Sequence, residues 1–269
     1  MNGLKIAVLV KQVPDMDTVK FDRERGVVDR KSAGTEVNPF DLNALEEAVK
    51  ISECLGDEVT AISMGPPNAV KAVRECMARG ASRGVLVSDA KFGGSDTRAT
   101  SMILAAAVRK LGGFDLILCG EKTVDGDTGQ VGPEVAENLG IPYACFVSRV
   151  AAADRDSIRV ESELWDGTYE KEILFPALLT VTKEISEPRL PSFQEKMKAR
   201  KAAVTTLTFH DLAPFLEETA VGFQGSPTKV KKIEIPPELK RHGRIFRDDA
   251  VPQATDELVG ILRQRRILA

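Results

Sequence analysis

Two hydrophobic periods alternate along this chain, and that alternation limits its fold more than any other feature. Over the first 150 residues, short aliphatic and β-branched runs (4–10, 59–64, 84–87, 116–119 and 143–150) are separated by longer stretches whose apolar residues recur every three to four positions. Leu42, Leu45 and Val49, with Ala44, Ala48, Ile51 and Leu55, mark a first helix, with Asp41 as its expected N-cap and Gly56 just past its end. Val70, Val73 and Met77 mark a second, closed by Gly80. Asp96 caps a third that runs through Met102, Ile103, Ala106 and Leu111 to Gly112, and a fourth starts near Pro133 and stops at Gly140. Strands separated by such helices predict the α/β class, a parallel sheet with helices on both faces.

The rhythm changes after about residue 150. Residues 157–163 and 169–175 alternate around Asp166-Gly167, which reads as a β-hairpin, and 177–182 reads as one more strand. From 183 to 202 the chain is charged and reads as irregular. The stretch beyond has too few apolar residues for a core of its own, but Ile233, Ile235, Ile245 and Phe246 interrupt its charges, and a helix-like piece spans 255–266. The expected organisation is an α/β domain with its hairpin over 1–182, a charged segment over 183–202, and a C-terminal arm and helix over 203–269 that dock on a partner.

Composition removes several functions. With 37 Lys+Arg against 40 Asp+Glu the net charge is −3, and 5 % of the residues are aromatic. Neither favours nucleic-acid binding, which calls for a basic excess and stacking platforms. The apolar runs at 6–10 and 103–108 are too short to cross a bilayer, and the N-terminal sequence does not read as a signal peptide. The expectation is a cytoplasmic protein without membrane insertion. Cys54, Cys76, Cys119 and Cys145 lack metal-ligand or redox-motif spacing and read as buried reduced thiols. With His210 and His242 as the only histidines, zinc or Ser-His-Asp chemistry is not expected, and no catalytic or metal-ligating set emerges.

In a parallel α/β sheet, ligands sit beyond the carboxyl ends of the strands. The most informative loop in such a position is Gly120-Glu121-Lys122-Thr123-Val124-Asp125-Gly126-Asp127-Thr128-Gly129-Gln130-Val131-Gly132. Gly126, Gly129 and Gly132 permit positive φ and close backbone approach, and the helix after the loop offers free N–H groups and a positive dipole end. Thr128 adds a hydroxyl and Gln130 an amide. This suits a phosphate, although the loop fits neither standard phosphate-binding glycine pattern, and Asp125 and Asp127 must face away from an anion. A structural glycine-rich turn is the competing reading. Lys11, at a strand end, could meet an anion but reads first as a solvated charge, and Asn38-Pro39-Phe40-Asp41 reads as turn and cap chemistry.

Taken together, these loops resemble the β subunit of electron-transfer flavoproteins over nearly the entire chain. The resemblance is carried by Val10-Lys11-Gln12-Val13-Pro14-Asp15, Asn38-Pro39-Phe40-Asp41, Ser63-Met64-Gly65-Pro66-Pro67, Gly94-Ser95-Asp96-Thr97-Arg98, Asp125-Gly126-Asp127-Thr128-Gly129-Gln130-Val131-Gly132-Pro133, and Glu187-Pro188-Arg189 leading to Met197-Lys198-Ala199-Arg200-Lys201. It implies a Rossmann-like domain and a heterodimer with an α subunit that carries the redox FAD. It also implies a nucleotide in this subunit: AMP in the respiratory type, or a second FAD that takes hydride from NADH in the electron-bifurcating type. By the same likeness the nucleotide-lining residues are Leu9, Asn38, Pro39, Phe40, Asp41, Met64, Cys119 and the loop from Gly120 to Val131.

The tail around Gly225-Ser226-Pro227-Thr228 and His242-Gly243-Arg244-Ile245-Phe246 resembles forms found in anaerobes, which favours FAD over AMP here. Val13, Pro14 and Phe40 are expected to wall the flavin ring, with Thr97 and the backbone at Gly93-Gly94 at its polar edge. Phe193 aligns with the residue that anchors a partner dehydrogenase, an acyl-CoA dehydrogenase or another. The acceptors implied are ferredoxin- or quinone-linked. The competing function is a stand-alone nucleotide-binding stress-type protein or nucleotide α-hydrolase, which leaves residues 183–202 without a role.

Overall fold

Strands buried on both faces read as continuous apolar runs, and those of this chain make the middle of a nine-stranded sheet in the computed structural model. The structure describes residues 3–15, 20–22, 27–29, 34–55, 57–230 and 243–268. The chain runs β1 (Lys5–Val10), β2 (Gln12–Pro14), β3 (Lys20–Asp22), β4 (Val27–Asp29), β5 (Thr35–Val37), α1 (Pro39–Leu55), β6 (Glu58–Met64), α2 (Val70–Ala78), β7 (Arg83–Val87), α3 (Thr97–Lys110), β8 (Leu116–Gly120) and α4 (Val131–Leu139). It continues through β9 (Tyr143–Ala153), β10 (Ser157–Leu164), β11 (Gly167–Leu174), β12 (Ala177–Val181), α5 (Phe193–Lys201), β13 (Thr205–Leu207), α6 (Phe209–Leu212) and α7 (Gly222–Gly225). A second unit, Glu234–Ala269, contains α8 (Val251–Gln264).

The sheet order is β11-β10-β9-β12-β8-β1-β6-β7-β13, parallel from β9 to β13 and extended by the antiparallel β10–β11 hairpin. This is a Rossmann-like α/β architecture. Successive strand residues point to opposite faces. Val8 and Val10 of β1 therefore pack with Leu45, Val49 and Cys76 under α1 and α2. Ala7 and Leu9 pack with Ile103, Ala107 and Val135 under α3 and α4. No helix among the described residues is long and apolar enough to cross a membrane.

Several local expectations change. α1 begins at Pro39, where the missing proline N–H costs nothing, so Asp41 lies inside the first turn and is not the N-cap. Gly56 lies outside the described residues, as do Ile233, Ile235 and His242. The hairpin turns at Trp165-Asp166, with Gly167 opening the return strand. The stretch read as irregular contains α5, started by a capping box in which Ser192 and Glu195 satisfy each other's backbone N–H groups. The chain after 203 adds β13 to the sheet edge beside β7, and Leu207, Leu212, Leu216 and Val221 are buried in the α3-side core. All four cysteines are free: Cys76 and Cys119 are buried, Cys145 is half-buried, and Cys54, expected to be buried, is exposed.

Candidate functional site

From β1 the chain first builds the sheet towards β6 and β7, then crosses back to add β8 on the other side of β1. Adjacent crossovers thus leave β1 and β8 in opposite directions and open a crevice beyond their carboxyl ends, the usual ligand position in such sheets. Lys11 directly succeeds β1 there, and residues 120–124 lead out of β8.

Two side chains at the start of α1 tie these segments together. Asn38 is fully buried. Its backbone N–H donates to the Lys11 carbonyl at 2.9 Å, its Nδ2 donates to the Lys122 carbonyl at 2.9 Å, and its Oδ1 accepts from the Val124 N–H at 3.2 Å. Asp41 accepts the Lys11 N–H on Oδ2 at 2.8 Å and the Gly120 N–H on Oδ1 at 2.9 Å. Burial pushes the Asp41 carboxyl up to about 7 despite those two backbone bonds, which act the other way.

The loop glycines divide by role. Gly129 takes the left-handed conformation (φ 63°), and so does Asp127 (φ 53°), whereas Gly126 and Gly132 do not. Of the two uses that a glycine permits, Gly129 takes the positive φ, and Gly126 and Gly132 allow close approach. A Cβ on Gly126 would come 3.2 Å from Thr123 Oγ1, and one on Gly132 would come 2.5 Å from Thr180 Cγ2 and 2.9 Å from Cys119 Sγ. Gly132 lets α4 lie against β8 and β12. Gly120 does the same for α1, because a Cβ there would sit 2.5 Å from Phe40 Cβ and 2.7 Å from Asp41 Oδ1.

The two aspartates are paired with lysines. Lys11 Nζ lies 2.8 Å from Asp125, and Lys122 Nζ lies 2.8 Å from Asp127 and 5.7 Å from the Phe40 ring centre. Burial raises the Asp125 carboxyl, but the Lys11 contacts outweigh it and hold the group below its ordinary value. Lys11 is therefore more than a solvated strand-end charge. Partial burial raises the carboxyl of Glu121.

Thr97 joins α3 to α4 through its hydroxyl, 3.3 Å from both Gln130 Oε1 and Glu134 Oε1. Glu134 is an addition to the residues expected from sequence, although a carboxylate in the first turn of a helix is a signal in itself. Asp96 caps α3 by accepting the Ala99 N–H at 3.1 Å. The same carboxylate accepts the N–H and hydroxyl of Thr228 at 2.9 and 2.8 Å, and Ser226 Oγ accepts the Asp96 N–H at 2.8 Å. The Gly93 and Gly94 carbonyls accept from Phe223 N–H and Ser226 Oγ, so the chain's own tail engages the backbone expected at a ring edge. Leu9, Val13 and Cys119 are enclosed by the chain, while Met64, Phe40, Pro14, Val124, Thr123 and Val131 are half-buried. Pro39 and Thr128 are exposed at the rim. Phe193 is far from this group in sequence and 80 % exposed at the start of α5.

Comparison with known proteins adds a second kind of observation. Residues 25–212 match the electron transfer flavoprotein domain family. The chain is 39 % identical to the electron transfer flavoprotein subunit beta of Clostridium acetobutylicum, over 98 % of this chain and 100 % of that one. At the same coverage it is 38 % identical to the caffeyl-CoA reductase-Etf complex subunit CarD of Acetobacterium woodii. It is 36 % identical to the acryloyl-CoA reductase electron transfer subunit gamma of Anaerotignum propionicum, again over 98 % and 100 % of the two chains.

Proposed function

This chain belongs to the electron transfer flavoprotein family as a β-type subunit, with an α-type subunit as its partner, and from that premise we propose that it holds FAD, rather than AMP, in the crevice between β1 and β8. The carrying observation is the loop entering α4. Helix geometry leaves the N–H groups of Val131 and Gly132 without partners inside the helix, and Gly129 turns left-handed two residues before Val131. Lys11 and Lys122 neutralise the aspartates that would otherwise repel a diphosphate. The residues therefore fit a phosphate group.

Beyond the loop, half-buried Pro14 at the end of β2, Phe40 in the first turn of α1 and Met64 at the end of β6 supply the apolar surface a flavin ring needs and AMP does not. When bound, FAD supplies one- and two-electron redox chemistry, including, in a bifurcating type, hydride uptake from NADH and division of its electrons between two routes. The α subunit carries the second FAD, and the heterodimer works in the cytoplasm between a dehydrogenase and a further acceptor. The names of two relatives, for caffeyl-CoA and acryloyl-CoA reductases, support an enzyme of acyl-CoA substrates as the partner. Exposed Phe193 is the anchor for it, as a lone aromatic on a charged surface suits a docking hot spot.

The test is to denature the co-purified heterodimer and chromatograph the released nucleotides. About two FAD per heterodimer without AMP is the expected outcome; one FAD with one AMP overturns the choice of FAD.

A further inference from the structure

One polar stripe of α1 runs from buried Asn43 and Glu46 to exposed Lys50 and Glu53. Asn43, Glu46, Glu47, Lys50 and Glu53 recur at helical spacing, and the segment leaving β12 lies over them. Asn43 Nδ2 donates to the Ser186 carbonyl at 2.7 Å, and Lys50 Nζ donates to Ser186 Oγ at 2.8 Å. Arg189 then closes the segment down. Its backbone N–H and Nε donate to Glu46 Oε2 at 3.0 and 2.8 Å, and its Nη2 donates to Glu46 Oε1 at 3.0 Å. Its Nη1 reaches Glu53 Oε1 at 2.6 Å, while Arg79 Nη1 donates to the Arg189 carbonyl at 2.7 Å. Glu46 is only 5 % exposed, so the bracket is anchored inside the protein.

Little holds the chain just after Arg189. Leu190 is 86 % exposed and Phe193 80 %, and Ala199 is the only buried residue of the nine-residue α5. A helix so short and so polar does not hold its own position. It owes that position to its contact with α2 and to the tether in front of it.

We propose that Arg189 is a positioning residue for partner docking: by bracketing Glu46 and Glu53 it fixes residues 187–192 on α1 and holds Leu190 and Phe193 out as a preformed anchor pair. The inference rests on the reading of Phe193 as the docking anchor. Presenting an anchor already ordered removes an entropic cost of association. Losing the bracket therefore weakens encounter with the partner and leaves the electron-transfer step itself in place.

The test uses the complete heterodimer and a titration with an acyl-CoA dehydrogenase reduced by its acyl-CoA substrate. Arg189→Ala should raise the half-saturating dehydrogenase concentration about tenfold, with the rate at saturation changed less than about twofold. Arg189→Lys should fall between, since a point charge cannot span both carboxylates. Adding Arg189→Ala to Phe193→Ala should cost clearly less than Arg189→Ala alone, because only Leu190 is then left to position. Trypsin should cut faster after Lys196, Lys198, Arg200 and Lys201 once the bracket is lost, a readout that needs no partner.

Three results overturn the proposal. An effect of Phe193→Ala with none of Arg189→Ala removes the positioning role and keeps the anchor. No effect of Phe193→Ala removes the anchor, and the positioning role with it. Losses that multiply in the double variant place the action of Arg189 elsewhere. Should Arg189→Ala fail to assemble with the α subunit, Glu53→Gln removes only the outer half of the bracket and should give a rise of about two- to threefold; no rise then counts against the proposal.

Discussion

At its N-terminus α1 is held by side chains that bond main-chain groups: Asn38 takes the backbone of Lys122 and Val124, and Asp41 takes the N–H groups of Lys11 and Gly120. Along its flank the same helix holds residues 186–189 largely by side chain against side chain, with Lys50 on Ser186 and Arg189 on Glu46 and Glu53. The first region is buried and its partners cannot be exchanged, since every residue type has a backbone. The second is partly exposed, and its geometry depends on residue identity, salt and pH. One helix thus carries a rigid ligand crevice at its tip and an adjustable mount on its side.

The sharpest way to break the crevice is Gly120→Ala. Its methyl would have to enter space held by Phe40 and Asp41, so α1 or β8 must shift. Urea unfolding should show a loss of about 3 kcal/mol, with bound nucleotide lost as well. Gly129→Val comes next. It forces a β-branched residue into the left-handed region at a cost of about 2 kcal/mol and should leave the purified heterodimer deficient in one nucleotide. Full retention would show that the loop is not the cradle.

Asp41→Asn tests the crevice through pH. The folded Asp41 carboxyl titrates near 7 against 3.8 when unconstrained, so below about 3 both states are protonated and the group contributes its full stability. As pH rises through that window the unfolded chain loses the proton first, and the contribution disappears by about 7. The variant costs about 1 kcal/mol because one backbone N–H loses its acceptor. Its stability relative to the parent should nevertheless improve as pH rises from about 4 to about 7. Thermal melts in pairs across that range decide it, and a constant difference overturns the assignment.

The two regions also differ in how far the sequence reveals them. β1, β6, β7, β8 and β12 are mostly apolar because both faces are buried, with Lys5, Glu58 and Arg83 confined to the strand entries, and Asp96 and Gly140 mark helix ends with purely local chemistry. The crevice is half legible. Its glycines announce a tight loop, but which of them turns left-handed depends on neighbours, and Asp127 takes a conformation that a glycine adopts more readily. Asp41 reads as a helix cap because the groups that claim it, the N–H of Lys11 and of Gly120, are 30 and 79 residues away. The mount on the α1 flank is hidden for the same reason. Helix α5 has no apolar stripe to betray it, and the Ser192/Glu195 capping box is the one local signal it offers.

The smallest effect is expected at Asp127→Asn, and it separates the two ways of holding a loop. Asp127 sits left-handed at φ 53° with its carboxylate 2.8 Å from Lys122 Nζ. Asparagine tolerates that backbone region at least as well, so the substitution removes the charge and little else. Both groups of the pair are largely exposed, Lys122 at 40 % and Asp127 at 70 %. Such pairs add little to stability in water, and the melting temperature should move by no more than about 1 °C. Lys122 loses its partner and becomes free to meet a bound diphosphate, so the nucleotide should be retained at least as firmly when the heterodimer is titrated with urea. A large drop in melting temperature would mean that the ion pair holds the loop, and the crevice would then be built like the flank of α1 rather than from backbone bonds.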